Sequence, residues 1–237
     1  MRPLQARSPA SSDSPLRSRP RVNFKLYLIT DRRVVRNGDL ISACEAALTA
    51  ARDIAPPGTV ALQLREKDLP ARELYQLALR LREICARHGA PLLVNDRVDV
   101  ALAAGADGVH LPFDSIGVSM ARNLLPENCL IGVSTHSPPD VAGAAREGAD
   151  FAVFGPVFDP ISKPAAGPAW GSSGLTAACR AGAIPVFALG GITPERAREL
   201  LANPDPPAGI AAIGAIFTAE SPAAATTAML SALRLPS

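Results

Sequence analysis

Short apolar runs alternate along this chain with longer stretches whose apolar residues recur at helical spacing. The run Leu26–Thr30 is followed by Leu40–Ile54, in which many apolar residues lie three or four positions apart. A short, continuous apolar run is typical of a strand buried on both faces, whereas the longer period is typical of an amphipathic helix. Both patterns then recur in the same order to the end of the chain.

The predicted elements therefore alternate between strand and helix. The predicted strands are Leu26–Thr30, Leu62–Arg65, Pro91–Asn95, the second half of Gly105–His110, Leu130–Ser134, the second half of Gly148–Gly155, Pro185–Leu189 and Gly209–Ile213. The predicted helices are Leu40–Ile54, Ala71–Arg87, Val98–Ala104, Val118–Leu125, Pro138–Glu147, a stretch after Trp170 that ends at Arg180, Pro194–Leu201 and Pro222–Leu233. About eight strand–helix pairs in a chain of 237 residues predict an α/β protein with a single (β/α)₈ TIM barrel. The alternative is an open doubly wound sheet, although no Gly-x-Gly-x-x-Gly follows the first strand.

The composition changes this picture by excluding other classes of protein. With 48% hydrophobic residues the chain can bury a large core, and a net charge of +2 with 4% aromatic residues favours neither a nucleic acid nor a membrane partner. No apolar run is long enough to span a bilayer. The four cysteines are far apart and lie among apolar residues. They are typical of buried thiols in a reducing compartment, so we expect a cytoplasmic protein.

Residues 1–22 differ from the rest because they are rich in Pro, Ser and Arg. They contain no apolar segment of the kind found in secretory signals. We expect a disordered tail or a misassigned start there, and an organelle transit peptide is the alternative. The catalytic domain is then predicted to span residues 23–237.

Polar side chains mark the ends of the predicted strands. The stretch Val60–Lys67 begins as a buried strand and ends in charged residues that packing does not require. Parallel barrels keep their working residues at the carboxyl ends of strands, and the cations Arg65 and Lys67 suit a phosphate or diphosphate. A solvated charge cluster that opens a loop is the alternative. Further polar residues at or next to strand ends are Asp31, Gln63, Asn95, Asp96, His110, Ser134 and His136.

Two glycines follow the seventh predicted strand and precede a helix. In a barrel this is a common place for a phosphate, and Gly190-Gly191 offers it backbone N–H groups. The alternative is a plain tight turn.

Several motifs occur in a fixed order at the strand ends. They are Gln63–Lys67, Asn95-Asp96, Gly132–Ser137, Gly155–Phe158 followed by Ser162-Lys163, and Gly190–Ile192. This ordered set resembles the motif series of the thiamine phosphate synthase family, which also contains the related thiazole tautomerases. The resemblance implies a (β/α)₈ transferase that joins two thiamine precursors. An aminopyrimidine methyl diphosphate loses pyrophosphate, and the nitrogen of a thiazole phosphate takes the pyrimidine methylene.

The resemblance also implies roles for individual residues. The pyrimidine diphosphate would contact Gln63, Arg65, Lys67, Asn95, Ser134 and Lys163. Among these, the catalytic residues would be the cations Arg65, Lys67 and Lys163. A Mg²⁺ cofactor would bind Asp96. The thiazole phosphate would lie beside Ser162, Gly191, Ile213 and Gly214.

The chain departs from the family pattern at three places. The family usually has His-Leu-Gly-Gln-x-Asp where this chain has His110–Ser115, so the second metal carboxylate falls on a serine. Asp114, one residue earlier, is the substitute ligand that we expect. The family's Thr-x-Thr-Lys is Pro160–Lys163 here, and its Ile-Ser after strand eight is Ile213-Gly214, so each loses a hydroxyl. These changes remove a carboxylate from the expected metal site and hydroxyls from the expected thiazole-phosphate site. The cations expected at the diphosphate remain in place.

The predicted function is thiamine phosphate synthesis from two small-molecule substrates, with Mg²⁺. A thiazole tautomerase is one alternative, and it would need His136 and a thiazole phosphate but no Mg²⁺. It is disfavoured by the retention of Arg65, Lys67, Asn95 and Asp96. A non-catalytic barrel that binds a thiamine-related phosphate is the other alternative. The sequence leaves the oligomeric state open, a homo-oligomer included.

Overall fold

Eight parallel strands close into a barrel that helices surround. The structure is a computed structural model that describes residues 21–159 and 168–233. Each strand pairs with the next one along the chain, and the first pairs with the eighth. Because the sheet is closed, the predicted (β/α)₈ barrel is confirmed and the open sheet is wrong. Of the predicted tail, only Arg21 and Val22 belong to the described residues.

The elements follow the predicted order. The strands are β1 (Leu26–Ile29), β2 (Val60–Leu64), β3 (Leu92–Asn95), β4 (Gly108–Leu111), β5 (Leu130–Thr135), β6 (Phe151–Phe154), β7 (Val186–Ala188) and β8 (Gly209–Ala212). The helices are α1 (Leu40–Ile54), α2 (Ala71–His88), α3 (Val98–Ala104), α4 (Val118–Leu124), α5 (Pro138–Glu147), α6 (Gly171–Ala181), α7 (Pro194–Leu201), α8 (Gly214–Phe217) and α9 (Pro222–Leu233).

Two short elements were not predicted from the sequence. A 3₁₀ turn, Arg32–Val34, follows β1, and the four-residue α8 follows β8. Neither is long enough to show a hydrophobic period. The 3₁₀ turn is capped instead by Asp31, whose side chain accepts a hydrogen bond from the N–H of Arg33. The predicted start of α7 is confirmed, since the Thr193 side chain accepts from the N–H of Arg196 and Pro194 follows it.

The two faces of each strand have different partners. Outward side chains such as Leu28, Leu62 and Val94 pack under the helices, whereas the inward face carries an aromatic cluster. This cluster consists of Phe24, Tyr27, Phe151 and Phe187. Glycines on neighbouring strands make room for the rings: a Cβ at Gly132 would lie 2.2 Å from the Phe151 ring. The barrel is thus filled by side chains below its carboxyl-terminal mouth.

The four cysteines form no disulfide bonds. All four are free thiols; Cys44, Cys85 and Cys129 are buried and Cys179 is partly buried. Burial raises the pKa of the Cys85 thiol to about 12. Within residues 21–159 and 168–233, no helix combines the length and the apolar character that crossing a membrane requires.

Candidate active site

The carboxyl ends of neighbouring strands bring four predicted residues to the inner wall of the mouth. Gln63 shares the inward face of β2 with Ala61, and Asn95 shares that of β3 with Leu93. Asn95 and His110 are register partners on β3 and β4. The alternation of side chains along each strand therefore places these groups, with Ser134 of β5, above the aromatic cluster.

His110 is the centre of a buried polar chain. Its Nε2 lies 3.0 Å from the Ser134 Oγ, and its Nδ1 lies 3.5 Å from the Tyr27 hydroxyl. Burial lowers the pKa of His110 to about 3, with the charge of Arg65 acting in the same direction. The imidazole is thus neutral at physiological pH and holds the Ser134 hydroxyl at the mouth. Tyr27 was not predicted in this role, because a tyrosine in a strand is typical of the core.

Gln63 presents an unsatisfied donor. The side chain is 1% exposed, and its Nε2 has no hydrogen-bond partner among the described residues. Leaving a buried amide N–H unpaired costs roughly 1–3 kcal/mol, so natural proteins usually satisfy such groups. A ligand with an acceptor atom in the mouth would satisfy it.

The two predicted cations, Arg65 and Lys67, lie in the loop after β2. The N–H of Arg65 donates to the Thr30 Oγ1 at 2.9 Å, which fixes the backbone where β2 ends. In the described part of the chain neither side chain has a carboxylate within ion-pair distance. Their charges are therefore available to an anionic ligand.

The intervening Glu66 holds this loop in place. Its buried carboxylate accepts from the N–H of Arg32 at 3.0 Å and from the Arg32 guanidinium at 3.1 Å. Arg32 also donates twice to Asp68, at 2.7 and 2.9 Å, and this bidentate pair lowers the pKa of Asp68 to about 2. The loops after β1 and β2 are thus joined by one charge network. Sequence reasoning missed it, although an acid between two cations in a strand-end motif was the available signal.

Asp96 has an unusual backbone conformation, and its side chain accepts a hydrogen bond from Ser115. Its φ is +64°, a conformation that non-glycine residues rarely adopt and that occurs often at functional sites. The Ser115 Oγ donates to its Oδ1 at 2.5 Å. Ser115 thus stands beside Asp96 where the family motif has its second carboxylate, while the Asp114 side chain is exposed.

His136 is oriented by its neighbours on both sides. Its Nδ1 lies 2.8 Å from the carbonyl oxygen of Gly155, so Nδ1 carries the proton that it donates. Its backbone N–H donates to Asp140 at 2.9 Å, and the Phe113 ring centroid lies 5.6 Å away. These contacts fix the orientation of the imidazole ring.

The predicted phosphate turn has the backbone that glycine permits. Gly190 has a φ of +105° and Gly191 one of +58°. A Cβ at Gly191 would lie 2.5 Å from the carbonyl oxygen of Asp159, so no larger residue fits. On the adjacent strand, Ile213 precedes α8, whose first residue Gly214 leaves its N–H outside the helical ladder. Predicted Ser162 and Lys163 lie outside the described residues.

Comparison with known proteins gives one consistent result. A family model for thiamine monophosphate synthase matches residues 26–221. The chain belongs to the thiamine monophosphate synthase family. The resemblance inferred from the strand-end motifs is therefore confirmed.

The similar proteins of the thiamine monophosphate synthase family cover nearly the same length. The thiamine-phosphate synthase of Albidiferax ferrireducens is 40% identical over 203 residues, which are 85% of this chain and 88% of that protein. A Geobacter sulfurreducens protein that bears the same name provisionally is 46% identical over 213 residues, or 90% and 96% of the two chains. The solved thiamine phosphate pyrophosphorylase of Pyrococcus furiosus is 34% identical, with a TM-score of 0.77 over 90% of this chain and 96% of that one.

Proposed function

We propose that this protein is a thiamine-phosphate synthase that condenses an aminopyrimidine methyl diphosphate with a thiazole phosphate. The observation that carries the proposal is the end of β2. There Gln63, whose buried Nε2 has no partner in the described part, is followed by Arg65 and Lys67, which have no acidic partner in that part either. A chain of this family with that mouth fits an anionic, hydrogen-bonding substrate. The relatives named above are synthases, which supports this activity over the tautomerase and the non-catalytic alternatives.

The pyrimidine diphosphate fits the wall formed by β2, β3 and β5. Arg65 and Lys67 face its phosphates, while Gln63, Asn95 and Ser134 supply hydrogen-bonding groups for the ring and the ester oxygen. Two neutral amides and a hydroxyl suit an uncharged aminopyrimidine, because they donate and accept without imposing a charge. Lys163 completes the cation set in this proposal.

The described side chains alone offer too few ligands for Mg²⁺, so the ion would bind in this mouth together with the substrate diphosphate. The described residues hold no group of three His, Cys, Asp or Glu side chains that could bind a metal by themselves. One carboxylate, Asp96, together with the Ser115 hydroxyl and Asp114, matches the ion's habit of binding one or two carboxylates plus phosphate oxygens and water. When bound, the ion would neutralise charge on the diphosphate.

The thiazole phosphate fits the opposite side of the mouth. The turn Gly190-Gly191 and the start of α8 at Ile213-Gly214 present backbone N–H groups there, and Ser162 adds a hydroxyl in this proposal. Backbone N–H groups at such turns bind phosphate without a side chain. The loss of family hydroxyls at Pro160 and Gly214 is therefore tolerable.

In the reaction, the bond between the pyrimidine methylene and the diphosphate oxygen breaks, and its electron pair leaves with pyrophosphate. The lone pair of the thiazole nitrogen forms the new carbon–nitrogen bond. Arg65 and Lys67 stabilise the charge that develops on the leaving group, which preorganised cations do at little further cost. Neutral His110 keeps the Ser134 hydroxyl in place during this step.

The experiment measures pyrophosphate release by the purified chain in the presence of both substrates, with and without Mg²⁺. We expect release that requires both substrates and thiamine phosphate as the product. Conversion of the thiazole phosphate alone into an isomer, or binding without turnover, would contradict the proposal. We also propose a cytoplasmic location for the protein, which the four free thiols support.

A further inference from the structure

Arg196 lies in the first turn of α7 but reaches away from its own helix. The helix begins at Pro194, and the N–H of Arg196 donates to the capping Thr193 Oγ1 at 3.3 Å. The guanidinium Nη1 donates to the carbonyl oxygen of Gly191 at 2.6 Å. The guanidinium carbon also lies 4.6 Å from the centroid of the Phe158 ring. One side chain thus touches both the turn after β7 and the loop after β6.

These two segments are already in contact through their backbones. The N–H of Val157 donates to the carbonyl oxygen of Leu189 at 2.8 Å, and the N–H of Phe158 donates to that of Gly190 at 3.2 Å. Arg196 adds a third link between them: the Leu189 and Gly190 carbonyls accept from the loop backbone, and the Gly191 carbonyl accepts from a guanidinium that packs on the Phe158 ring.

The orientation of these carbonyls determines the orientation of the N–H groups. A trans peptide is planar, so its N–H points opposite to its C=O. The peptide whose oxygen is Gly190's carries the N–H of Gly191, and the peptide whose oxygen Arg196 holds carries the N–H of Ile192. No described residue accepts a hydrogen bond from either N–H. The N–H of Gly191 thus points away from the loop, and that of Ile192 points away from the Arg196 guanidinium. Two such successive donors without a described acceptor occur in backbone nests that bind anions.

The Arg196 guanidinium has no ion pair in the described part of the chain that would compete with this contact. No carboxylate among the described residues lies within ion-pair distance of Arg196. The nearby Arg198, two positions along α7, instead lies 3.9 Å from Glu195 on its own helix. A planar guanidinium that stacks on a ring and donates to one carbonyl is a contact that lysine reproduces only in part.

We infer that Arg196 is a positioning residue for the thiazole-phosphate subsite: by anchoring the Gly191 carbonyl and stacking on Phe158, it aims the N–H groups of Gly191 and Ile192 at the phosphate. The inference rests on the proposed function for the identity of the ligand. It adds a residue outside the family motifs quoted from the sequence, since Arg196 lies past Gly190–Ile192.

The kinetic test separates the two substrates. Arg196→Ala should raise the KM for the thiazole phosphate roughly tenfold, because the N–H groups of Gly191 and Ile192 lose their fixed direction and one hydrogen bond to a charged group accounts for at least about that factor. The KM for the pyrimidine diphosphate should stay within about twofold. Arg196→Lys, which keeps a charged donor, should restore part of the loss. Arg198→Ala is the matched control and should leave both KM values unchanged. Equal increases for both substrates, or no increase, would overturn the inference.

A second measurement does not depend on turnover. Hydrogen exchange of the Val157 and Phe158 amides should accelerate in Arg196→Ala and stay at the parent rate in Arg198→Ala. Calorimetric titration with the thiazole phosphate should show the same roughly tenfold weakening for Arg196→Ala alone. If the parent releases no pyrophosphate, the proposed function fails, and exchange and titration still decide the inference. Unchanged exchange would overturn it whatever the activity.

Discussion

At the scale of single residues, one hydroxyl stands where the family has a carboxylate. Ser115 donates to Asp96 at 2.5 Å, and Asp96 is held at a φ of +64°. The proposed Mg²⁺ position therefore has a hydroxyl, that of Ser115, in place of the second carboxylate of the family motif. Asp114, which the proposal adds as a further ligand, has an exposed side chain one residue away.

A carboxylate restored at position 115 should raise the affinity of the site for Mg²⁺. Ser115→Asp should lower the Mg²⁺ concentration for half-maximal pyrophosphate release roughly tenfold, because ligand charge tunes the affinity of such sites over decades. Asp96→Asn should abolish activity. Without Mg²⁺, Ser115→Asp should also melt at a lower temperature than the parent, since two carboxylates then face each other. Full activity in Asp96→Asn would contradict this assignment.

The cations in the loop after β2 should act on one substrate only. Arg65→Ala should raise the KM for the pyrimidine diphosphate by at least tenfold, because losing the partner of a bound charge costs on the order of 2–5 kcal/mol. The KM for the thiazole phosphate should stay within about twofold. Steady-state kinetics with each substrate varied in turn make the comparison.

Arg82→Ala is the control for this variant. Arg82 is on α2 and donates to the carbonyl oxygen of Gly105 at 2.9 Å, on the opposite side of the barrel from the mouth. It should leave both KM values at the parent level. Comparable losses in the two variants would mean that any removed arginine weakens the enzyme, and would contradict a specific role for Arg65.

At the scale of elements, β5 can pack against β6 because Gly132 has no side chain. Gly132 and Phe151 are register partners, and the ring occupies the space in front of the glycine. Phe151 cannot retreat easily, because Phe24, Tyr27 and Phe187 surround it with ring centroids 5.2, 5.4 and 5.5 Å away.

Gly132→Ala should therefore destabilise the protein by about 1–3 kcal/mol, the usual cost of overpacking a core. Gly143→Ala is the matched variant: it lies within α5, where an added Cβ meets nothing closer than the Arg146 guanidinium at 3.9 Å. In a helix, alanine in place of glycine should stabilise by about 0.5–1 kcal/mol. Urea unfolding of both variants measures the opposite signs. A neutral Gly132→Ala would mean that the barrel interior is loosely packed.

At the scale of the whole molecule, stability should depend on pH through a buried histidine. The folded-state pKa of His110 is about 3, whereas a histidine in an unfolded chain has a pKa of about 6.5. Between these values the unfolded chain binds a proton that the folded chain does not, so the free energy of unfolding falls as the pH decreases. The stabilisation is complete above the unfolded value and is lost on acidification.

The expected loss from His110 between about pH 7.5 and about pH 5 is roughly 2 kcal/mol, from 1.36 kcal/mol per pKa unit. Urea unfolding of the parent and of His110→Gln at both pH values measures it. The other titrating groups contribute to both proteins, so the parent should lose about 2 kcal/mol more than the variant. Equal losses in the two proteins would contradict a buried, neutral His110.

The sequence by itself determined the order of elements, the barrel and the family. Strand and helix periods are local properties of the chain, so apolar runs such as those at β1 and α1 could be recognised one by one. The strand-end motifs of Gln63–Lys67, Asn95-Asp96 and Gly190–Ile192 were recognisable for the same reason, because each lies within a few consecutive residues. The short α8 escaped because four residues contain no period.

Only the tertiary structure decided which groups meet. The contacts of Ser115 with Asp96, of His110 with Ser134 and of Arg196 with Gly191 join segments that follow different strands or cross a turn. The same holds for the hydrogen-bond partner of the Gln63 Nε2 and for the arginine that pairs with Glu66. Both depend on side-chain directions that no local sequence pattern encodes. Barrel closure sets these directions, because it alone fixes which strand ends become neighbours in space.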